Sequence, residues 1–381
     1  MAIGEDANEN ALQLGLFALA PFLFMKIDWD RIGQVRKERR QQCSETHKRL
    51  RRNDIHFLHV EYSISDWLGS DPDNQQEHSA LVQAMSVNTS LTSFKLEAAS
   101  LIGRSLPSQM LQTLCPVWAM HPQLQHLNLS NNGISDEDLH FVTSSIMANS
   151  GRATIRSLCL QHNRISSLGL FSLAQSDRLS TLVRLDLAHN PHLGGDEETK
   201  IEGAGCCSAP FSLRLILTRA VNLQELNLSR TGLTDRILTG LFSPSPALPF
   251  NFSLKSLFLS QLLISTPITT PSSSPYPFSS PRRDLFQRLL TVLPALRYLD
   301  LSHTQLAQFN SDLMIGLAQG LSHHPNLCSL VLCSAGLTSD TIHFLAAGLA
   351  TNSSLTQLDS PEANKKPLFS LGPEQIEWRL H

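Results

Sequence analysis

The chain has 381 residues, of which 41% are hydrophobic and 17% charged, with a formal net charge of −3. That is ample material for a core, and too near neutrality to single out nucleic acid or an anionic surface as partner of the whole molecule. The seven cysteines, at 43, 115, 159, 206, 207, 328 and 333, are odd in number, and no paired cluster caps either end of residues 91–360, which argues for reduced thiols in a cytosolic setting.

Residues 11–25 (ALQLGLFALAPFLFM) are the only strongly apolar run. As a helix they would span ~22 Å, short of a bilayer core of ~30 Å. Pro21 interrupts the run and Lys26 ends it. A cleaved leader wants a positive start, whereas Glu5, Asp6 and Glu9 stand here. A packing or amphipathic helix is the first reading; a membrane anchor and a signal peptide are the others. From Arg31 to Arg52 there are nine Lys/Arg and two acids, Glu38 and Glu45. The clusters RKERR (36–40) and KRLRR (48–52) read first as a solvated helix. They also suit anionic membrane contact or a two-part nuclear signal. No aromatic residue interleaves them, so nucleic acid is not an expected partner. The expected location is cytoplasmic, the alternatives being a membrane anchor with cytosolic repeats, or the nucleus. Residues 1–54 form one N-terminal segment in this reading.

Ile55, Leu58 and Val60 suggest a degenerate strand, and residues 80–91 a helix leading onward. From Leu91 to Leu355 the chain then returns nine times to a Leu-x-x-Leu-x-Leu-like phrase, such as LQHLNL (124–129), LVRLDL (182–187) and LRYLDL (296–301). The first positions stand at 91, 124, 155, 182, 223, 254, 296, 327 and 355, mostly near thirty residues apart. Within each phrase the Leu-x-Leu pair has the period of a short strand with one buried face. Leu139, Val142 and Ile146, and likewise Ile342, Leu345 and Leu349, then follow at helical spacing. One such unit cannot bury its own apolar edge, but stacked units can, so the pattern predicts a solenoid with a continuous core.

These leucines resemble the leucine-rich-repeat family, and within it the long-repeat, ribonuclease-inhibitor-like class. So do Asn132, Asn163 and Asn190 nine places along, and Thr231 and Thr304 at the same place. The resemblance covers about 91–360. It implies an α/β fold: a curved leucine-rich-repeat solenoid with parallel strands on the concave face and helices on the convex face, here spanning 55–360. It also implies that the polar residue at place nine bonds backbone groups in the turn. Leu262 and Ala335 stand there instead, so less regular turns are expected after their strands.

Two longer steps locate inserts near 191–212 and 265–283. The second, STPITTPSSSPYPFSSPRR, is too rich in Ser, Thr and Pro to pack. Its Ser280-Pro281-Arg282-Arg283 resembles a proline-directed kinase site, a permissive motif. After Ser360 the period is lost, and Phe369, Leu371, Ile376 and Trp378 suggest that 361–381 is a cap.

If places four and six point inward, places three, five, seven and eight line the concave face. The middle repeats then present Arg184, Asp186, His189, Glu225 and Arg230, and the later ones Phe258, Tyr298 and Val331 around Asp300. Aromatic anchors beside a charge have the composition of protein-binding hot spots, so these nine are the candidate partner-binding residues.

No phosphate loop, H-E-x-x-H, G-x-S-x-G or kinase signature is present, and no residue is assigned to catalysis, a cofactor or a metal. His323, His324, Cys328 and Cys333 come nearest to a metal set. Strand parity turns Cys328 inward with Leu330 and Cys333 outward with Val331, which strains a tetrahedral site. His162, His189 and Asp186 read as a polar ladder before a ligand set. The expected function is a non-catalytic scaffold or adaptor that binds a protein. The alternative, a regulator of a nucleotide-dependent partner of GTPase-activating or actin-regulatory type, rests on repeat length alone.

Overall fold

The computed structural model describes residues 29–54, 56, 58–64, 72–98, 108–148, 150–195, 208–243, 253–264, 284–306 and 311–359. The apolar run at 11–25, the insert at 265–283 and the segment 361–381 lie outside the described residues. The chain divides into two compact units, 1–48 and 49–381.

The first unit holds most of α1 (Trp29–Arg51), which carries the first basic cluster and all of the second but Arg52. Lys37, Glu38 and Arg40 are exposed. Gln34 Nε2 donates to Glu38 Oε1 one turn on, at 3.0 Å. Among the described residues no helix is long and apolar enough to cross a membrane.

The second unit is built on one ten-stranded parallel sheet whose spatial order is the chain order. Its strands are β1 (His59–Ile64), β2 (Ser93–Ala98), β3 (His126–Asn128), β4 (Ser157–Cys159), β5 (Arg184–Asp186), β6 (Glu225–Asn227), β7 (Ser256–Phe258), β8 (Tyr298–Asp300), β9 (Ser329–Val331) and β10 (Gln357–Asp359). The register sets equivalent places side by side, so Leu127, Leu158, Leu185, Leu226, Leu257, Leu299, Leu330 and Leu358 form one row. Each of these leucines is buried, as are the first residue of each phrase and the sixth of the first eight, such as Leu124 and Leu129.

Helices return the chain between strands: α2 (Pro72–Val87), α3 (Ser108–Met120), α4 (Asp136–Ile146), α5 (Ser167–Ala174), α6 (Ala209–Arg219), α7 (Asp235–Leu241), α8 (Asp284–Val292), α9 (Ser311–His323) and α10 (Ser339–Leu349). Successive helices pack side by side. In α4, Leu139, Val142 and Ile146 are buried as their spacing predicts; in α10, Leu345 and Leu349 are buried while Ile342 is partly exposed. A Ser135–Asp138 capping box starts α4. One residue into that helix, the Asp136 carboxylate accepts from the Ser166 amide at 2.8 Å, tying it to the start of α5.

Two expectations shift at the N-terminal end. The first strand begins at His59 and buries Val60 and Tyr62, while Leu58 is exposed, so the inward set starts later than Leu58. The helix expected at 80–91 begins at Pro72 and stops at Val87. Asn88 ends it, because its Oδ1 accepts the Leu91 amide at 2.9 Å in place of a helical carbonyl. At the first insert, regular structure reaches in from both sides: Leu193 is buried and α6 starts at Ala209. There Gly232 has a φ of +71°, and a Cβ on it would meet Pro191 O at 2.2 Å, so only glycine fits.

The turn after each strand repeats one device. Place eight is left-handed in seven successive repeats, at Asn131, His162, His189, Arg230, Gln261, His303 and Ser334, with φ between 54° and 60°. At place nine, Asn163 Nδ2 donates to Leu160 O at 2.7 Å and to Leu129 O of the preceding repeat at 3.0 Å. Its Oδ1 accepts the Ile134 amide at 3.0 Å. The expectation of less regular turns at Leu262 and Ala335 is overturned. Gln261 and Ser334 keep the left-handed step, and the two apolar residues are buried in the space the polar ones would take. Backbone conformation, not the place-nine side chain, carries the turn.

Candidate protein-binding surface

With the leucines turned to the helices, the other face of the sheet carries places three and five, all partly or fully exposed from β2 to β10. Parallel pairing sets Phe258 beside Asp300, Asp300 beside Val331, and Val331 beside Asp359. The Phe258 and Tyr298 rings approach to 5.0 Å between centroids at 42°, a tilted aromatic pair open to solvent on one side. Burial pushes the Tyr298 phenol up, and the Asp300 and Asp359 carboxylates push it further.

The middle strands behave differently. Arg184 Nη2 donates to Glu225 Oε1 at 2.9 Å across β5 and β6, so the two charges satisfy each other. Asp186 is raised chiefly by burial, which the Ala188 amide and the Asn227 side chain oppose by hydrogen bonding. His189 stacks on His162 at 3.8 Å between ring centroids. Burial holds His189 low, and His162 and Arg230 add to the effect. Arg230 is exposed at the left-handed place of its repeat. The nine candidates therefore fall into a charged group on β5, β6 and their turns, and an aromatic–acidic group on β7 to β9.

The acids at place five carry a role that the sequence reading missed. Asp300 Oδ1 accepts the Ser302 amide at 2.8 Å, and Asp186 Oδ1 accepts that of Ala188 at 3.0 Å. Asn128 and Asn227 make the same bond to Ser130 and Ser229. The visible signal is Asn or Asp two residues before a Ser or Ala. One oxygen of each carboxylate is thus committed to the turn, and Asp186 is bonded by the Asn227 side chain as well.

His323, His324, Cys328 and Cys333 do not form a cluster. Cys328 is exposed, not turned inward, because the strand begins only at Ser329 and the alternation does not reach back to it. His324 is buried and bonded to Leu293 O and the Leu327 amide. No group of three or more His, Cys, Asp or Glu positioned to hold a metal ion occurs among the described residues.

A family model described as Leucine Rich repeat matches residues 121–139, which run from His121 through β3 into α4. No curated protein sequence matches the chain. Among solved structures, it is similar to the leucine-rich repeat-containing protein LegL7 from Legionella pneumophila, at 19% identity over 79% of this chain and 81% of that one, with a TM-score of 0.45. It is also similar to the yeast Rad7 and Elc1 complex, at 14% identity over 99% and 98% of the two chains, TM-score 0.38. An internalin from Listeria monocytogenes matches at 16% identity over 72% and 68%, TM-score 0.36. The recurring leucine phrase, the parallel ladder that it builds and the match at 121–139 make this chain a leucine-rich-repeat protein.

Proposed function

We propose that this protein is a non-catalytic scaffold or adaptor that binds a partner protein on the exposed face of its sheet, with Phe258, Tyr298, Asp300 and Val331 as the centre of contact. The observation that carries the reading is the Phe258–Tyr298 pair, held on adjacent strands of a ladder whose other face is fully packed. Two rigid rings lose little side-chain freedom on binding and bring large apolar area, which is why aromatic residues dominate interface energetics. Arg184, Asp186, His189, Glu225 and Arg230 supply a polar flank. The Arg184–Glu225 pair adds little affinity at an exposed position but constrains which partner charges fit.

Among the described residues no two cysteines form a disulfide, which supports a reducing, cytosolic setting. Burial pushes the Cys115 thiol up to about 12, so it stays protonated and packs as an apolar group.

The test is affinity capture with the intact chain beside a Phe258→Ala, Tyr298→Ala double variant. Partners identified by mass spectrometry with the native chain are expected to be lost with the variant, whose melting temperature stays close to native. Undiminished capture of the same partners by the folded variant removes this surface from consideration.

A further inference from the structure

The carboxylates on the sheet face are treated in two ways. Toward β1, Lys95 lies 3.7 Å from Glu61 and 3.2 Å from Glu97, neutralising both in part. In the middle, Arg184 pairs with Glu225. Toward β10 the pattern stops. Among the described residues the Asp300 carboxylate accepts the Ser302 amide, at 2.8 Å, and the Asp359 carboxylate accepts the side-chain amide of Gln357 on the same strand, at 3.1 Å. Among the described residues neither Asp300 nor Asp359 makes an ion pair. On β8 itself the basic side chains stand at the two ends, Arg297 just before the strand and His303 in the turn after it.

The register places Val331 between the two acids, with Phe258 on the other side of Asp300. At ~4.8 Å per strand, Asp300 and Asp359 stand ~10 Å apart at the backbone, and their side chains can lean toward one ligand over the Val331 floor. Tyr298 shares β8 and its exposed face with Asp300, two residues on, and its ring lies 5.0 Å from that of Phe258. An aromatic ring beside two unneutralised carboxylates is complementary to a cation with an apolar stem.

We propose that this corner, β7 to β10, receives an arginine or lysine side chain from an extended segment of the partner protein, its charge between Asp300 and Asp359 and its stem against Tyr298 and Val331. The proposal rests on the protein-binding reading above and names the chemistry of the partner.

It is tested with the immobilised full-length chain and pools of random octapeptides in which one central position is fixed as arginine, citrulline or glutamate. The arginine pool is expected to be retained at least ~3-fold over the citrulline pool, which has the same shape without charge, and the excess should shrink with added salt. In an Asp300→Asn, Asp359→Asn variant the arginine preference should vanish while weak retention of all pools persists. That variant keeps the fold, because Asn128 and Asn227 already make the place-five bond in other repeats. The double substitution Phe258→Ala, Tyr298→Ala should lower retention of every pool. An arginine preference that survives loss of both acids overturns the cation assignment and leaves protein binding on this face standing. Absence of retention for every pool, both with the native chain and with Lys365 and Lys366 changed to alanine, overturns both. Retention that emerges only when Lys365 and Lys366 are changed to alanine assigns the cation to the chain's own C-terminal residues and overturns the partner.

Discussion

The repeats of β3 to β5 and those of β6 to β9 solve the same turn with different side chains. In the first group Asn132, Asn163 and Asn190 reach across repeats: each donates to a carbonyl of the strand before it, Leu96, Leu129 and Leu160 respectively. In the second group Thr231 and Thr304 donate to carbonyls of their own strands, Leu228 and Leu301, both at 2.6 Å. Leu262 and Ala335 have buried apolar side chains, and their backbone amides donate to Leu259 O and Leu332 O, both at 3.2 Å. All seven turns nevertheless keep the left-handed place eight. At place nine, therefore, the asparagines stitch one repeat to the next, whereas the threonines bond only within their own repeat.

The largest effect should come from breaking a stitch. Asn163 is 5% exposed and is bonded on both sides of its amide, so Asn163→Ala leaves several buried backbone groups unsatisfied. A loss of about 3 kcal/mol is expected from urea unfolding followed by circular dichroism. Thr304→Val keeps the shape and removes one bond within a repeat, so about 1 kcal/mol should go. Equal losses for the two would erase the distinction between the groups.

A smaller effect concerns pH, and it sharpens the comparison from another position. Three residues before the first leucine, Asn88 and Asn352 accept the Leu91 and Leu355 amides, at 2.9 Å and 2.7 Å. His324 does the same with Nδ1 toward Leu327 at 2.9 Å, while its Nε2 lies 3.1 Å from Leu293 O. The ring thus imitates an asparagine amide, and only when neutral, since a protonated Nδ1 cannot accept. Burial holds His324 below the ordinary value of 6.5, and the bond to Leu293 only partly offsets this. Stability from this site is complete above that value and falls as pH drops from there toward the lower folded value. His324→Asn should therefore reduce the fall in melting temperature between pH 7.5 and pH 5, with little change at pH 7.5. An unchanged pH slope would show that this ring is not what acid acts on.

The architecture was readable because leucine places four and six keep phase through every repeat, and that phase sets the ladder register. For the same reason the adjacency of Phe258, Tyr298, Asp300 and Val331 could be drawn before any coordinates. The left-handed place eight was not foreseen, since no glycine marks it. Its residues are Asn, His, His, Arg, Gln, His and Ser, and the signal was the lack of any β-branched residue there. Parity misled at Cys328 because three-residue strands are too short to extrapolate beyond their ends. The asparagine-like role of His324 escaped because it is a relation among repeats, visible only when residues before the leucine phrase are also aligned.

The ladder holds its phase across the stretch between Ile264 and Asp284: Leu257 still pairs with Leu299, as though the two repeats were joined by the usual length of chain. Position in the array is thus fixed by sideways pairing and not by counting residues along the backbone. Lengthening that connection should be nearly free, about 0.6 kcal/mol for each doubling. A reporter domain grafted there would leave every downstream repeat in its place.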